Sequence, residues 1–317
     1  MTDAPQKEIL RIGTRGSPLA LRQTQMVADA LRLHHPQLEV EIVKIKSAAD
    51  WKKKDGEKSL CEQAGGKGQF AKEIEQAHLD GQIQCGVHSA KDMPSFLPQE
   101  LQITHFLPRY DARDAFISKK YKSLSDLPLN ATVGTCSPRR QSMALSQRPD
   151  LNIVPFRGNI QTRLDKVANE QVDATFLAVA GMGRLGIEDD MIHPVETDNM
   201  LPAAGQGAVC IETKIDDVKT QKYFDAINCP QTTICVSAER EVLKVLDGSC
   251  HTPIAAYAVL EPDNTLTIKA YAGSLDGQKV FNETITGFCT SLHEAQELGQ
   301  ELGQILKESV PADIILG

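Results

Sequence analysis

ILRIGTRGSPL at residues 9–19, with its counterpart TVGTCSPRR at residues 132–140, decides the fold. In both stretches a short run with strand character leads into the pair Ser-Pro, at Ser17-Pro18 and Ser137-Pro138. Serine is favoured as the N-cap of a helix and proline at its first position. Each stretch therefore predicts a strand that turns directly into a helix. Two such turns in one chain predict two related α/β lobes with open, mostly parallel sheets.

The segments around these turns continue the alternation of strands and helices. Further strands are predicted over 38–46, 83–88, 151–156 and 174–179, and helices over 70–80 and 160–169. The last ninety or so residues differ, because a helix (233–246) precedes three strands (254–260, 265–272 and 279–286) and a closing helix (292–309). That order predicts an α+β region after the two lobes.

Composition limits the class of protein. The chain has 317 residues, of which 41% are apolar and 24% charged, and a net charge of −8. These values suit a globular chain of two or three domains and disfavour nucleic acid as a partner. No apolar run reaches the roughly 18 residues of a membrane helix, and the polar start predicts no secretory signal. The eight cysteines are then best read as reduced thiols of a cytoplasmic protein.

Arginine is concentrated in one part of the chain. Between residues 123 and 165 there are five arginines and no lysine. A guanidinium group binds carboxylates and phosphates in a bidentate manner, which lysine cannot do. Arg148 lies beside a proline and is interpreted as a surface pairing residue. Arg139 and Arg140 are different, because they occupy the first turn of a helix, where its dipole disfavours cations. An anion in front of that turn would offset the repulsion.

Two loops carry further reactive side chains. One of them, His88-Ser89-Ala90-Lys91-Asp92-Met93-Pro94, lies at the end of a predicted strand, where catalytic groups of α/β sheets gather. Short polar segments of this kind are more often plain turns without a catalytic role. A second loop, Asp247-Gly248-Ser249-Cys250-His251, places a thiol beside an imidazole and could carry a nucleophile. A cysteine in such a loop is more often unreactive. The long polar segment 47–68 fits a lid over a site and a plain insertion about equally well.

Taken together, ten ordered motifs resemble those of one family, the hydroxymethylbilane synthases or porphobilinogen deaminases. The motifs are RIGTRGSPLALRQ (11–23), GGKGQF (65–70), VHSAKDMP (87–94), DARDAF (111–116), VGTCSPRRQ (133–141), FRGNIQTRL (156–164), LAVAGMGRLG (177–186), LPAAGQGAVCIE (201–212), AERE (238–241) and LDGSCHTPIA (246–255). The resemblance implies a transferase that condenses four porphobilinogen molecules, with release of ammonia, into a linear tetrapyrrole. A dipyrromethane cofactor, attached by a thioether that maps to Cys250, primes the chain.

The resemblance also implies roles for individual residues. Asp92 maps to the catalytic aspartate, which stabilises positive charge as ammonia departs. The residues implied to hold the cofactor are Cys250, Ser89, Lys91, Thr135, Ser137, Arg139 and Arg140. Those implied on the substrate side are Arg15, Ser17, Arg157, Arg163 and Arg184. Lys67 and Phe70 map to a mobile-loop region, and no metal is implied.

The family architecture implies two lobes like those of periplasmic binding proteins and a third, C-terminal α+β domain. The corresponding boundaries are 1–107 with 204–226 for domain 1, 108–203 for domain 2 and 229–317 for domain 3. A cytoplasmic monomer is expected, with porphobilinogen as substrate and neither nucleic acid nor membrane as partner. The sequence departs from the family at SAAD (47–50), Cys136, Pro138 and Ser249.

Two other classes of function remain open at this stage. A non-catalytic two-lobed binder of a polycarboxylate would share the arginines but would need neither Asp92 nor Cys250. A thiol hydrolase would use Cys250 as its nucleophile.

Overall fold

The computed structural model describes residues 8–46, 71–246, 252–311 and 314. They fall into two compact units. The first unit holds the described residues of Met1–Asp50, Gly68–Arg109 and Ala208–Thr233. The second unit holds those of Tyr110–Gly207 and Ile234–Gly317.

The first unit is built on a five-stranded sheet. Its strands are β1 (Ile9–Arg15), β2 (Glu39–Ile45), β3 (Cys85–Ser89), β4 (Leu101–Phe106) and β10 (Val209–Lys214), and its helices are α1 (Pro18–His34), α2 (Lys72–Leu79) and α6 (Val218–Asp225). The strand order is β2-β1-β3-β10-β4. β1 is parallel to β2 and β3, whereas β10 is antiparallel to both β3 and β4.

The start of α1 follows from the sequence. The Ser17 hydroxyl accepts the backbone N–H of Ala20 at 3.3 Å, and Pro18 occupies the first turn, where its missing N–H costs nothing. Val27 and Leu31 lie one turn apart on the helix and pack with Ile12 of β1 in the core of this unit. The chain therefore leaves β1 directly into α1, as predicted.

The second unit repeats this arrangement. Its first sheet contains β5 (Asp114–Ile117), β6 (Thr132–Gly134), β7 (Asn152–Val154), β8 (Ala174–Ala178) and β9 (Ile192–Pro194), with helices α3 (Pro138–Gln147), α4 (Ile160–Ala168) and α5 (Val179–Arg184). The strand order is β7-β6-β8-β5-β9. β6 is parallel to β7 and β8, and β5 is antiparallel to β8 and β9.

The two sheets therefore have equivalent strand orders. In each, the strand before the Ser-Pro turn lies between two parallel strands, and the fourth position is taken by an antiparallel strand. The antiparallel strand of the first sheet, β10, comes from late in the chain, and that of the second, β5, precedes the rest of its sheet. This equivalence supports the prediction of two related lobes.

A three-stranded antiparallel sheet forms the C-terminal part of the second unit. It consists of β11 (Ile254–Leu260), β12 (Thr265–Gly273) and β13 (Val280–Phe288), with α7 (Pro230–Val245) and α8 (Leu292–Ser309) as its helices. The apolar residues of β11 and β12 pack against α7 and α8 in one core. Tyr271 of β12 lies with its hydroxyl 2.7 Å from that of Ser142, so this sheet contacts α3.

The predicted fold class is confirmed, with two differences in detail. β4, β5, β9 and β10 were not predicted as strands, and the antiparallel positions of β5 and β10 make both sheets mixed. The three-domain division and its boundaries remain a prediction. Within the described residues, no helix combines the length and apolarity that crossing a bilayer requires.

Candidate active site

The first unit contains a pocket beside the ends of β1 and β3. It is lined by Arg15, Ser17, Leu19, Ala20, Gln23, Val87, His88, Ser89, Asp92 and Met93. Four predicted site residues, Arg15, Ser17, Ser89 and Asp92, are thus brought together. Asp92 ends a single 3₁₀ turn, Ala90–Asp92, that directly follows β3, and Asp92 is exposed. Lys91 is exposed next to it.

A hydrogen bond between α1 and β3 fixes one wall of this pocket. The side-chain amide of Gln23 donates to the Ser89 hydroxyl at 2.8 Å, and that hydroxyl lies 3.1 Å from the Gln23 carbonyl oxygen. Gln23 is 3% exposed. Because both partners are held, Ser89 has a defined position in the wall that also carries Asp92. Gln23 is not among the site residues predicted from the sequence.

In the second unit, the predicted cofactor residues gather at the start of α3. The Ser137 hydroxyl caps the helix by accepting the backbone N–H of Arg140 at 3.4 Å. The Thr135 hydroxyl accepts the backbone N–H of Ser137 at 3.1 Å. Residues Thr135, Ser137, Arg139 and Arg140 therefore form one local group at the start of α3.

A buried aspartate holds the two arginines of this group. One Asp114 oxygen, Oδ2, lies 2.7 Å from Nη2 of Arg139, and the other, Oδ1, accepts Nη2 of Arg140 at 2.6 Å. Backbone carbonyls take a second donor from each guanidinium, Leu201 from Arg139 and Phe176 from Arg140, both at 2.7 Å. Asp114 is 0% exposed, so these charges are compensated inside the protein.

Gln206 completes this group. Its side-chain amide donates to Asp114 Oδ1 at 3.1 Å and to the Ala112 carbonyl at 2.7 Å. Burial lowers the pKa of the Arg139 guanidinium, and Arg140 adds to that effect, whereas Asp114 opposes it. The predicted anion in front of this helix start is a ligand, whereas the anion described beside the arginines is the Asp114 carboxylate of the protein itself. Neither Asp114 nor Gln206 is among the predicted site residues, although both lie in the matching motifs.

Three other predicted arginines of the second unit, Arg157, Arg163 and Arg184, follow α3 in the chain. Arg184, at the end of α5, donates from Nη2 to the Gly207 carbonyl at 2.6 Å, and burial lowers its pKa to about 10. Arg157 is 5% exposed, and Arg163 donates from Nε to the Gly158 carbonyl at 3.0 Å. Arg148 forms the predicted surface pair, with Asp150 at 2.7 Å. Cys250, Lys67 and Phe70 lie outside the described residues.

These features define a class of protein: a two-lobed α/β chain in which guanidinium and hydroxyl groups, the kind that bind carboxylates and phosphates, gather in the pocket of the first unit and at the start of α3. Comparison with known families gives the particular one. The family model described as "Porphobilinogen deaminase, dipyromethane cofactor binding domain" matches residues 10–222, and "Porphobilinogen deaminase, C-terminal domain" matches residues 233–308. The chain belongs to the porphobilinogen deaminase family.

Individual relatives agree with this assignment. The chain is 44% identical over 309 residues to the porphobilinogen deaminase of Nitrobacter winogradskyi, covering 97% of this chain and 96% of the relative. It is 42% identical over 301 residues to the chloroplastic porphobilinogen deaminase of Oryza sativa subsp. japonica, covering 93% and 83%. Among solved structures, it is similar to the periplasmic aliphatic sulphonate binding protein SsuA from Escherichia coli, with a TM-score of 0.41, 14% identity and coverage of 75% and 70%.

The transferase activity and the dipyrromethane cofactor predicted from the motifs are those of this family. The alternative of a non-catalytic binder is not favoured. The residues present fit such a cofactor, because its pyrrole rings bear carboxylates and the start of α3 supplies guanidinium and hydroxyl groups.

Proposed function

We propose that this chain condenses four porphobilinogen molecules, with release of ammonia, into the linear tetrapyrrole hydroxymethylbilane, and that Asp92 performs the central step. The observation that carries this proposal is the pocket of the first unit, where Asp92 lies with Arg15, Ser17 and Ser89. A carboxylate that faces a pocket beside an arginine can stabilise a cationic reaction centre while the arginine binds a substrate carboxylate.

The negative charge of the Asp92 carboxylate stabilises positive charge on the substrate. As the C–N bond of the aminomethyl group breaks, positive charge develops on the pyrrole ring, and the carboxylate stabilises it. Arg15 and Ser17 bind substrate carboxylates in the same pocket. Arg157, Arg163 and Arg184 complete the substrate-binding set. Lys67 and Phe70 lie outside the described residues and keep only the loop role that the resemblance implies.

The cofactor is held by a second set of groups. When bound, it would supply the first pyrrole ring to which substrate is added. Cys250 would hold it through a thioether, and its carboxylates would be bound by Ser89, Lys91, Thr135, Ser137, Arg139 and Arg140. Asp114 supports this role because it fixes the two guanidinium groups before any ligand arrives.

The proposal extends to organisation and location. Domain 1 comprises residues 1–107 with 204–226, domain 2 comprises 108–203 and domain 3 comprises 229–317. The position of β10 between β3 and β4 supports the return of the chain to domain 1. The protein acts as a cytoplasmic monomer with porphobilinogen as its partner, and the net charge of −8 argues against nucleic acid.

Intact mass tests the cofactor assignment directly. Protein purified from cells that make porphobilinogen should exceed its sequence mass by one dipyrromethane, and Cys250→Ser should lose that excess because it lacks the attacking sulfur. Cys136→Ser is the matched control and should keep it. Cys136 also lies near the arginine pair, with Sγ accepting the backbone N–H of Phe156 at 3.2 Å. An unmodified native protein that leaves porphobilinogen unconsumed would overturn the proposal, and loss of the excess mass in Cys136→Ser alone would move the attachment there.

A further inference from the structure

Behind the pocket wall, the first unit buries a cluster of titratable side chains that the proposed function does not use. Glu75 comes from α2, His88 from β3 and Glu212 from β10. They are 9%, 7% and 0% exposed. His78, on the same face of α2 as Glu75, is 1% exposed. Buried charges of this kind are costly and are retained where they are paired or used.

His88 and Glu212 are in contact, but the cluster is incompletely hydrogen-bonded. Nε2 of His88 lies 3.3 Å from Oε2 of Glu212. Within the described residues, that nitrogen, both Glu212 carboxylate oxygens and Oε1 of Glu75 have no hydrogen-bond partner. Catalytic hydrogen bonds are often long before substrate binds, and shorten in the complex. If the 3.3 Å contact shortens in this way when the pocket is filled, a proton can pass between His88 and Glu212.

Gly86 of β3 leaves the space for this contact. A Cβ at that position would lie 2.6 Å from Nε2 of His88 and 3.3 Å from Oε2 of Glu212. No other residue type leaves both groups where they are. The chain thus keeps a glycine in the middle of a buried strand, where its backbone entropy is unfavourable, beside the two titratable groups.

His88 connects this cluster to the pocket. It lines the same pocket as Asp92 and Arg15, while its Nε2 faces Glu212 in the interior. His88 therefore belongs both to the pocket lining and to the buried cluster. Histidine is suited to pass protons because its two ring nitrogens can bind and release them separately.

The pKa of Glu75 lies in the range that lets a carboxylate accept and release a proton near neutral pH. Burial, followed by the charge of Glu212, raises the pKa of Glu75 to about 7. Positive charge on His88 or Lys72 opposes that rise. Among the described residues, His78 and Cys85 interact with the charge of Glu212, and Lys214 and Asp217 act in turn on His78. Arg15 and Asp92 line the pocket that His88 also lines.

We propose that His88, Glu212 and Glu75 form a path along which a proton leaves the Asp92 pocket for the interior of the first unit. Each condensation breaks the C–N bond of the aminomethyl group, whose electron pair leaves with ammonia, and forms a C–C bond to a second pyrrole ring. The C–H bond at the attacked carbon then breaks, its electron pair restores the aromatic ring, and its proton must be accepted. His88 accepts it and passes a proton from Nε2 to Glu212 and on to Glu75, which holds it. The proton returns to the pocket along the same groups when the released ammonia takes it up as ammonium, and Glu75 is ionised again.

This role rests on the proposed assignment of Asp92, and it makes Glu75 and Glu212 positioning residues that act through His88. Glu75 can accept a proton only when it is ionised. The kcat of the loaded enzyme should therefore rise with pH through about 7 and reach a plateau above it.

The test compares Glu75→Gln and Glu212→Gln with the parent holoenzyme. Both substitutions keep the shape of the side chain and remove its proton-accepting oxygen. We expect kcat at the plateau to fall about tenfold or more, with KM little changed, because the loss of a general acid–base path costs turnover rather than binding. The rise of kcat near pH 7 should disappear in both variants. Glu73→Gln, two residues away on α2, is the matched control and should keep the parental profile.

The outcomes separate this inference from the function on which it rests. If both glutamine variants load cofactor and keep the rise near pH 7, the proton path is wrong while the Asp92 assignment stands. If Asp92→Asn retains parental turnover, the assignment itself is wrong.

Infrared spectroscopy of the parent holoenzyme supplies a readout that does not depend on activity or on variants that fold. A protonated carboxyl band should be present below pH 7 and titrate away with a midpoint near 7. In whichever glutamine variant folds, Glu75→Gln should abolish the band and Glu212→Gln should shift its midpoint downward, because the neighbouring charge is gone. A parent spectrum without such a titration overturns the proposal.

Discussion

Asp92→Asn is expected to lower kcat about 100- to 1000-fold while the protein keeps its fold and its covalently bound cofactor. Asparagine has the shape of aspartate and no negative charge. The developing cation in the pocket would then lose the one carboxylate among the pocket-lining residues. Asp92 is exposed at the end of a 3₁₀ turn, so the substitution leaves no buried group unpaired and should not destabilise the first unit. Ammonia release measures the rate, and intact mass measures cofactor loading.

Asp216→Asn is the matched control for this experiment. Asp216 is also an exposed aspartate of the first unit, but it follows β10 and does not line the pocket. Its removal changes the net charge of the chain by the same amount, and kcat should stay at the parental value. Turnover by Asp92→Asn within about threefold of this control would contradict the catalytic role, because electrostatic stabilisers of a transition state contribute more than that.

The sequence predicted the fold through local signals that survive in the structure. Ser17 and Ser137 both cap helices, and the proline after each lies in the first turn. The missed strands had no such signal. β10 is buried over almost its whole length, so it lacks the alternation of a half-buried strand, and its partners β3 and β4 lie more than a hundred residues earlier in the chain. A local pattern predicts that a strand exists better than it predicts which strands pair with it.

The site shows the same division between local and distant information. The repulsion expected between Arg139, Arg140 and the start of α3 predicts an anion-binding site for a ligand, which stays a prediction, and the structure describes an internal carboxylate, Asp114, beside the two arginines. Asp114 lies 26 residues from Arg140 and 92 residues from Gln206 in sequence, so spacing could not identify it. A pair of arginines in a first helical turn indicates that an anion is needed, without saying whether the anion is a ligand or part of the protein. In this chain, the anion beside the two arginines is the buried carboxylate of Asp114.

Asp114→Asn is therefore expected to reduce the free energy of unfolding by about 3–5 kcal/mol, because it leaves two buried guanidinium groups without their shared counter-ion. Asp111→Asn is the matched control: its carboxylate pairs with Arg113 at 2.8 Å but is 28% exposed, so its loss should cost about 1 kcal/mol or less. Urea unfolding of both variants measures the difference. If the two losses are equal, the arginines do not depend on Asp114. If Asp114→Asn is the less stable and also carries less covalent cofactor by intact mass, the same carboxylate fixes the guanidinium groups for folding and for the ligand.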